Sequence, residues 1–235
     1  PVPSFRLWSP AAPNLHRVRV ETAFGASETR FGIREFAARG KSLWLNGEKV
    51  WLKGVNRHES HPEDGYATSI PTMYRDIQLM KSIGCNYVRG SHYPQRDEFL
   101  SLCDELGLMV WEESLGWGNW GDLGNPVFMQ SQIEQTRLMV KASINHPSVV
   151  INGFLNEFGS KTEQGRILAD RLIDTIRAED AGHLVTFACS CATEDICSSN
   201  LDFIAFNTYP GWHQNSSRAS TPESLRQVIK ERFDA

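Results

Sequence analysis

Asn145-His146-Pro147-Ser148-Val149-Val150-Ile151-Asn152-Gly153-Phe154-Leu155-Asn156-Glu157 is an apolar, β-branched run that stops abruptly at an amide and a carboxylate. As an inner barrel strand it would place Asn156 and Glu157 at its carboxyl end, where helix-wrapped barrels carry their chemistry. A carboxylate ending an apolar strand is costly unless it is paired or functional. Held partly out of water, such a group is suited to proton donation near neutrality.

The segments around this run repeat one texture of strand, loop and helix. Val50 to Val55 is predicted as the first strand, and Pro71 to Ile83 as a helix with Pro71 in its first turn and Gly84 just past its end. Met73, Ile77, Met80 and Ile83 form its apolar stripe. Asn86 to Arg89 reads as the second strand, Arg96 to Leu106 as a helix stopped by Gly107, and Leu108 to Glu113 as the third strand. Asn125-Pro126 caps a helix that runs to Ile144. Val149 to Leu155 is the fourth strand, and Ser160-Lys161-Thr162-Glu163 is a capping box opening a helix to about Asp180. Leu184 to Ala188 and Leu201 to Asn207 are the fifth and sixth strands, and Thr221-Pro222 begins a last helix.

Strands joined by helical crossovers pair in parallel, so the class is α/β. No Gly-rich phosphate loop follows any strand, which favours a (β/α)8 TIM barrel over a doubly wound sheet. Six of the eight units are legible, so the barrel is expected to be incomplete and the chain truncated at both ends. Residues 1–40 differ in character. Val18 to Thr22 and Phe31 to Phe36 alternate apolar and polar residues like half-buried antiparallel strands, and prolines punctuate their approach. Too few strands are present for a closed sandwich, so residues 1–40 are expected to be the tail of a β-domain whose start is absent, with residues 41–235 the partial barrel. Leu43 to Val50 reads as a hairpin with an Asn46-Gly47 turn.

Composition narrows the partners. Among 235 residues the formal net charge is −4, which argues against nucleic acid or an anionic membrane surface. No apolar run approaches the ~18 residues of a membrane span. The opening Pro1-Val2-Pro3-Ser4 has no leader character, and no compartment is assigned. The five cysteines, Cys85, Cys103, Cys189, Cys191 and Cys197, read as reduced thiols, because the number is odd and no His or Cys completes a zinc spacing.

The strand ends present Asn56, Arg57 and His58; Arg89, Ser91 and His92; Glu112 and Glu113; Asn156 and Glu157; Cys189; and Asn207, Tyr209 and Trp212. Carboxylates, amides and imidazoles beside flat aromatic faces suit a carbohydrate. Each has a plainer alternative: an Arg89–Glu113 structural ion pair, satisfied core histidines at 58 and 92, and packing roles for Trp111, Trp117 and Trp120.

Two long segments resemble the signatures of glycoside hydrolase family 2, the β-galactosidase and β-glucuronidase family. They are Asn86-Tyr87-Val88-Arg89-Gly90-Ser91-His92-Tyr93-Pro94, continuing through Cys103 to Trp111, and Asn145 through Glu157. Gly54-Val55-Asn56-Arg57-His58-Glu59 and Leu7-Trp8-Ser9-Pro10 are similar to further landmarks of that family. The resemblance implies a retaining exo-β-glycosidase whose barrel is preceded by an immunoglobulin-like β-sandwich domain, with residues 1–40 as the end of that domain. Glu157 would be the general acid/base, and Asn156 would hold the sugar 2-hydroxyl. Arg89, with Glu113 nearby, would sit near the nucleophile, His58 and His92 would line the sugar pocket, and Asn207, Tyr209 and Trp212 would approach from the sixth strand.

The chain departs from the family pattern in places. Ser114-Leu115-Gly116-Trp117-Gly118-Asn119-Trp120 stands where the metal-dependent galactosidases carry Glu-Thr-His, so neither a catalytic magnesium nor any other cofactor is expected. Asn207-Thr208-Tyr209-Pro210-Gly211-Trp212 resembles the glucuronidase branch, although His213 stands where Tyr is usual. The nucleophile of the family ends a seventh strand, and Glu194, Glu223 and Glu231 lie in loop or helix contexts. The chain alone is therefore not expected to turn over substrate. Two competing readings are a non-catalytic carbohydrate-binding barrel and a metal-dependent hydrolase using His58, His61, His92 and Glu113. Homo-oligomerisation of the full-length protein is left open.

Overall fold

A computed structural model describes residues 4–191, 194–209, 221–224, 226–227 and 230. Small antiparallel pieces come first: β1 (Trp8–Ser9) with β2 (Ala12–Pro13), β3 (His16–Thr22) with β4 (Gly25–Phe31), and a sheet of β5 (Phe36–Arg39), β6 (Ser42–Leu45) and β7 (Glu48–Val50). Six parallel strands then lie side by side in chain order: β8 (Gly54–Arg57), β9 (Tyr87–Gly90), β10 (Met109–Trp117), β11 (Val149–Asn156), β12 (Leu184–Cys189) and β13 (Ala205–Phe206). Helices α1 (Ile70–Ser82), α2 (Asp97–Leu106), α3 (Pro126–Ser143) and α4 (Glu163–Glu179) fill the connections from β8 to β12. Strand order that follows chain order, with helical crossovers, is the barrel arrangement; a doubly wound sheet would reverse at its middle. Among the described residues, six of the eight strands of a TIM barrel are thus in place, curled into a half-barrel.

The helices form where local chemistry directs. Ser69 caps α1 by accepting from the Thr72 amide, and Pro71 occupies the first turn. Met73, Ile77 and Met80 are buried as expected, but Ile83 is 73% exposed, because the helix has ended and Gly84 has turned the chain away. Gly107 closes α2 in the left-handed region, against the Pro10 carbonyl. Asn125 accepts from the Val127 and Phe128 amides to open α3. The cap of α4 is Thr162, bonded to the Gly165 amide, and not the expected Ser160. Ser160 is buried, with its hydroxyl 3.4 Å from Cys189 Sγ.

Three strand expectations shift. Val50 belongs to β7, whose two-residue Asn46-Gly47 turn has φ of 52° and 83° as an Asn-Gly hairpin requires. The first barrel strand begins only at Gly54, because the Asn86 side chain takes the Lys53 amide at 2.8 Å and the Trp51 carbonyl at 2.9 Å. The sixth strand shrinks to Ala205–Phe206. Before it, Asp202 Oδ2 accepts from the Val185 amide at 2.7 Å and Thr186 Oγ1 donates to the Phe203 carbonyl at 2.8 Å, so side chains replace ladder bonds. Phe31 to Phe36 is no continuous strand. Phe31 ends β4 and Phe36 starts β5, and Val18 and Val20 on β3 are exposed. The helix expected from Thr221-Pro222 falls largely outside the described residues, though Thr221 Oγ1 accepts from the Ser224 amide.

Helices α3 and α4 pack on β11 and β12 through Leu168, Leu172, Ile176, Phe154, Phe158 and Phe187. Helices α1 and α2 pack through Met73, Ile77, Phe99, Val88 and Leu108. A third cluster joins Trp8, Phe36 and Leu45 to Met109, Trp111, Val150 and Ile151, binding the preceding segment to the barrel strands. Arg34 reinforces that joint by donating to the carbonyls of Pro147 and Val149, at the start of β11. The five cysteines are free thiols.

Candidate functional site

Asn156 and Glu157 owe their placement to a local irregularity. Leu155 and Glu157 adopt φ of 51° and 50°, left-handed conformations uncommon for such residues. The pairing of β11 with both neighbours shifts register here, between Ser114 and Trp117 on one side and between Gly153 and Asn156 on the other. A bulge of this kind re-aims the side chains that follow it. The irregular stretch is tied down on both sides: the Gly118 amide donates to Asn156 O at 2.6 Å, and the Glu157 amide to Ala188 O at 3.0 Å. Two strained residues flanking one amide point to a functional constraint.

A continuous polar network grows from this turn. Asn207, just past β13, donates its Nδ2 to Asn156 Oδ1 at 2.8 Å and to Glu157 Oε1 at 2.7 Å. The Tyr209 hydroxyl donates to Glu157 Oε1 at 2.5 Å. On the other side, Arg89 Nη2 donates to Asn156 Oδ1 at 2.8 Å and to Glu113 Oε2 at 2.6 Å, with Nε adding a 2.9 Å bond to the same oxygen. His92 Nδ1 lies 2.8 Å from the other Glu113 oxygen. The Arg89–Glu113 pair considered as a structural alternative is therefore present, and the same guanidinium also holds the amide beside Glu157. Below it, the Trp111 ring lies 4.7 Å from the Arg89 guanidinium carbon.

The network is stratified by depth. Glu113 is fully buried, Arg89 and Asn156 are nearly so, Glu157 is half-buried, and Tyr209 is exposed. The Tyr209 hydroxyl is pushed up to about 12 by burial and by its bond to Glu157, so it stays a donor throughout the ordinary pH range. His58 is exposed, its ring edge-on to His92 at 5.4 Å and 6.2 Å from Tyr93. Burial, with His92 and Arg89 close by, holds His58 below the usual imidazole value, and it is neutral near pH 7.

Glu157, Asn156, Arg89, Glu113, His92, Asn207, Tyr209 and His58 thus come together at one end of the barrel strands. Trp212 and His213 lie outside the described residues. Arg57, although it ends β8, turns to the helical side: it donates to Asp76 at 3.0 Å and Gln95 at 2.9 Å, and lies over Phe99. Among the described residues, no three His, Cys, Asp or Glu side chains are arranged to hold a metal ion, and His61 is engaged in a turn bridged to Gly65. Glu194 is exposed and bonded to Lys161. The left-handed turn at Leu155 and Glu157 had no signal in the sequence, since neither residue type marks such a conformation.

Residues 36–234 match the sequence model of the family described as "Glycosyl hydrolases family 2, TIM barrel domain". A β-galactosidase of Thermoanaerobacterium thermosulfurigenes is 37% identical over 153 residues, covering 63% of this chain and 21% of the relative. A putative β-glucuronidase of Formosa agariphila is 36% identical over 159 residues, covering 65% of this chain and 19% of the relative. Among solved structures, a β-galacturonidase of Eisenbergiella tayi bound to galacturonate superposes with a TM-score of 0.89 at 36% identity, covering 97% of this chain and 42% of that one. The matched segment therefore spans about a fifth of these curated relatives and about two fifths of the solved structure. Among the described residues no helix is long and apolar enough to cross a membrane.

Proposed function

The chain belongs to glycosyl hydrolase family 2, through its TIM barrel domain, and on that premise we propose that it carries the acid/base half of a retaining exo-β-glycosidase acting on terminal β-glucuronides or β-galactosides. The observation that carries this reading is the shared clamp on Asn156 and Glu157. Asn207 bridges the two side chains, and Arg89 fixes the amide from the opposite side.

The clamp assigns atoms to tasks. Asn156 Oδ1 already accepts from Arg89 and Asn207, so its NH2 group is left to donate, as a contact to the sugar 2-hydroxyl requires. Glu157 Oε1 already accepts from Asn207 and Tyr209, so the transferable proton belongs on Oε2. In the first step that proton passes to the glycosidic oxygen as the bond to the leaving group breaks. In the second, the carboxylate takes a proton from the attacking water. His58 and His92 line the sugar pocket in this reading, and Arg89 with Glu113 sets the charge of its floor.

Glu113 is fully buried and holds both Arg89 and His92, so it is unsuited to be the nucleophile. We take that second carboxylate from outside this chain, which makes the chain inactive alone. We also take residues 1–40 as the end of a preceding β-sandwich domain and residues 41–235 as part of the barrel domain.

The test is to extend the chain by ~80 residues, two further βα units, and assay aryl β-glucuronide, β-galacturonide and β-galactoside. Turnover of at least one, with retention of anomeric configuration and a loss of ~10²- to 10⁴-fold in Glu157→Gln, is the expected result. No turnover of any of the three, or turnover indifferent to Glu157→Gln, overturns the proposal.

A further inference from the structure

Trp117 ends β10, directly beside Asn156 in the ladder, and the next amide, of Gly118, is hydrogen-bonded to the Asn156 carbonyl at 2.6 Å. Its indole is nevertheless 53% exposed. The ring stands 6.2 Å from His92 and 6.4 Å from Tyr93, continuing an aromatic wall that begins at His58. Depth increases away from it: His92 is mostly buried and Glu113, to which His92 is bonded, is fully so. Trp117 therefore stands at the mouth of the site, above the groups that would surround the sugar being cleaved.

Its position is set by the backbone. Gly116 at φ 141° and Gly118 at φ 62° flank it, both in conformations that favour glycine. A Cβ at Gly116 would fall 2.4 Å from Leu155 Cδ2, so the strand end is pressed against the left-handed turn that carries Glu157. Trp120, the neighbouring exposed indole, already has Lys161 Nζ 5.8 Å from its ring centroid. Trp117 is the one that continues the wall above His92.

Resting on the glycosidase reading, we infer that Trp117 is the platform for the ring on the leaving-group side of the scissile bond, and that it selects β-glycosides whose leaving group is itself a pyranose or an aromatic ring. The indole face receives the C–H face of such a ring, and contact energy gained away from the reacting bond is used to orient that bond under Glu157.

The test compares two leaving groups on one sugar in the chain extended to the length of its relatives: a glycosyl fluoride, which has no ring beyond the bond, and a β-linked disaccharide or nitrophenyl glycoside. Trp117→Ala is expected to lower kcat/KM on the ring-bearing substrates by ~10- to 100-fold and on the fluoride by less than about twofold, with Trp117→Phe keeping most of the activity. An equal fall on both substrates overturns the inference, because Trp117 would then serve the cleaved sugar or the fold. No fall on either overturns it as well. An unsubstituted chain inert toward every glycoside overturns the glycosidase reading and this inference with it, whereas an active chain failing the comparison overturns this inference alone.

Discussion

The Trp111 indole lies so close to the backbone of Gly153 that a Cβ at residue 153 would fall 1.9 Å from Nε1. The ring is almost fully buried, edge-on to Phe203, and its face supports the Arg89 guanidinium. A glycine in the strand that carries the proposed acid/base thus makes room for the residue under the arginine that holds its amide partner. Strand glycines often mark such close approach.

Gly153→Ala is therefore expected to cost about 1–3 kcal/mol through overpacking. It should also lower turnover in the extended chain, because a displaced Trp111 takes Arg89 with it. Denaturant unfolding measures the first effect, and kcat/KM on an aryl glycoside the second. A stability change under about 0.5 kcal/mol would show that the indole moves freely.

Asn207→Ala removes the bridge between Asn156 and Glu157 while leaving both residues in place. Misplacement of a reacting group by about 1 Å costs on the order of 10²-fold, so kcat/KM is expected to fall by about 10- to 100-fold. Asn207 is only half-buried, so global stability should change by less than about 1 kcal/mol. Steady-state rates beside a melting curve separate the two. Unchanged rates would remove Asn207 from the acid/base assembly.

Much of this was legible in the residues because the signals were local. Pro71, Asn125-Pro126, Gly84 and Gly107 bounded their helices, and Asn46-Gly47 its hairpin, through conformations those residues favour. Glu157 stood out because an apolar strand ending in a carboxylate is energetically odd. The features that escaped depend on contacts distant in sequence. The Asn86 side chain, 33 residues from Lys53, decides where β8 starts, and Asp202 and Thr186 replace ladder bonds before β13. The left-handed turn at Leu155 and Glu157 is imposed by neighbouring strands on residues with no preference for it. Arg57 stands one residue past Asn56, the register partner of Arg89, so strand alternation turns it to the opposite side, where Asp76 and Gln95 hold it.

Glu112, next to Glu113 but facing the helices, is buried with its Oε2 lacking a hydrogen-bond partner. Burial pushes its carboxyl up to about 7 from the ordinary 4.5, against smaller opposing effects of Ser143 and His146. With the folded value above the unfolded one, its contribution is intact below about 4.5 and is lost as pH rises through about 7. Glu112→Gln removes the ionisation. It should be close to neutral at low pH and more stable than the parent by about 3 kcal/mol above pH 8. Unfolding curves at both pH values decide it; a gain of equal size at each would mean that packing, and not charge, is responsible.

His146 sits at the head of the strand that ends in Asn156 and Glu157. Its Nδ1 lies 2.6 Å from Asp104 and its Nε2 3.1 Å from Asp97, while the other Asp104 oxygen accepts the Ser148 amide at 2.9 Å. Burial lowers the imidazole value, but the bonds and charges of Asp104 and Asp97 outweigh it, and the net shift is upward. The stabilisation is therefore fully present below about 6.5 and is lost as pH rises through the raised folded value. His146→Gln should cost about 1.5–3 kcal/mol at pH 5.5, the range for a hydrogen bond to a charged group, and distinctly less at pH 9. Because Asp104 also fixes Ser148, the loss should appear first as faster amide exchange at the start of β11. A cost that stays constant with pH, or grows toward pH 9, would mean that the imidazole is held here neutral and that the two aspartates serve only the backbone.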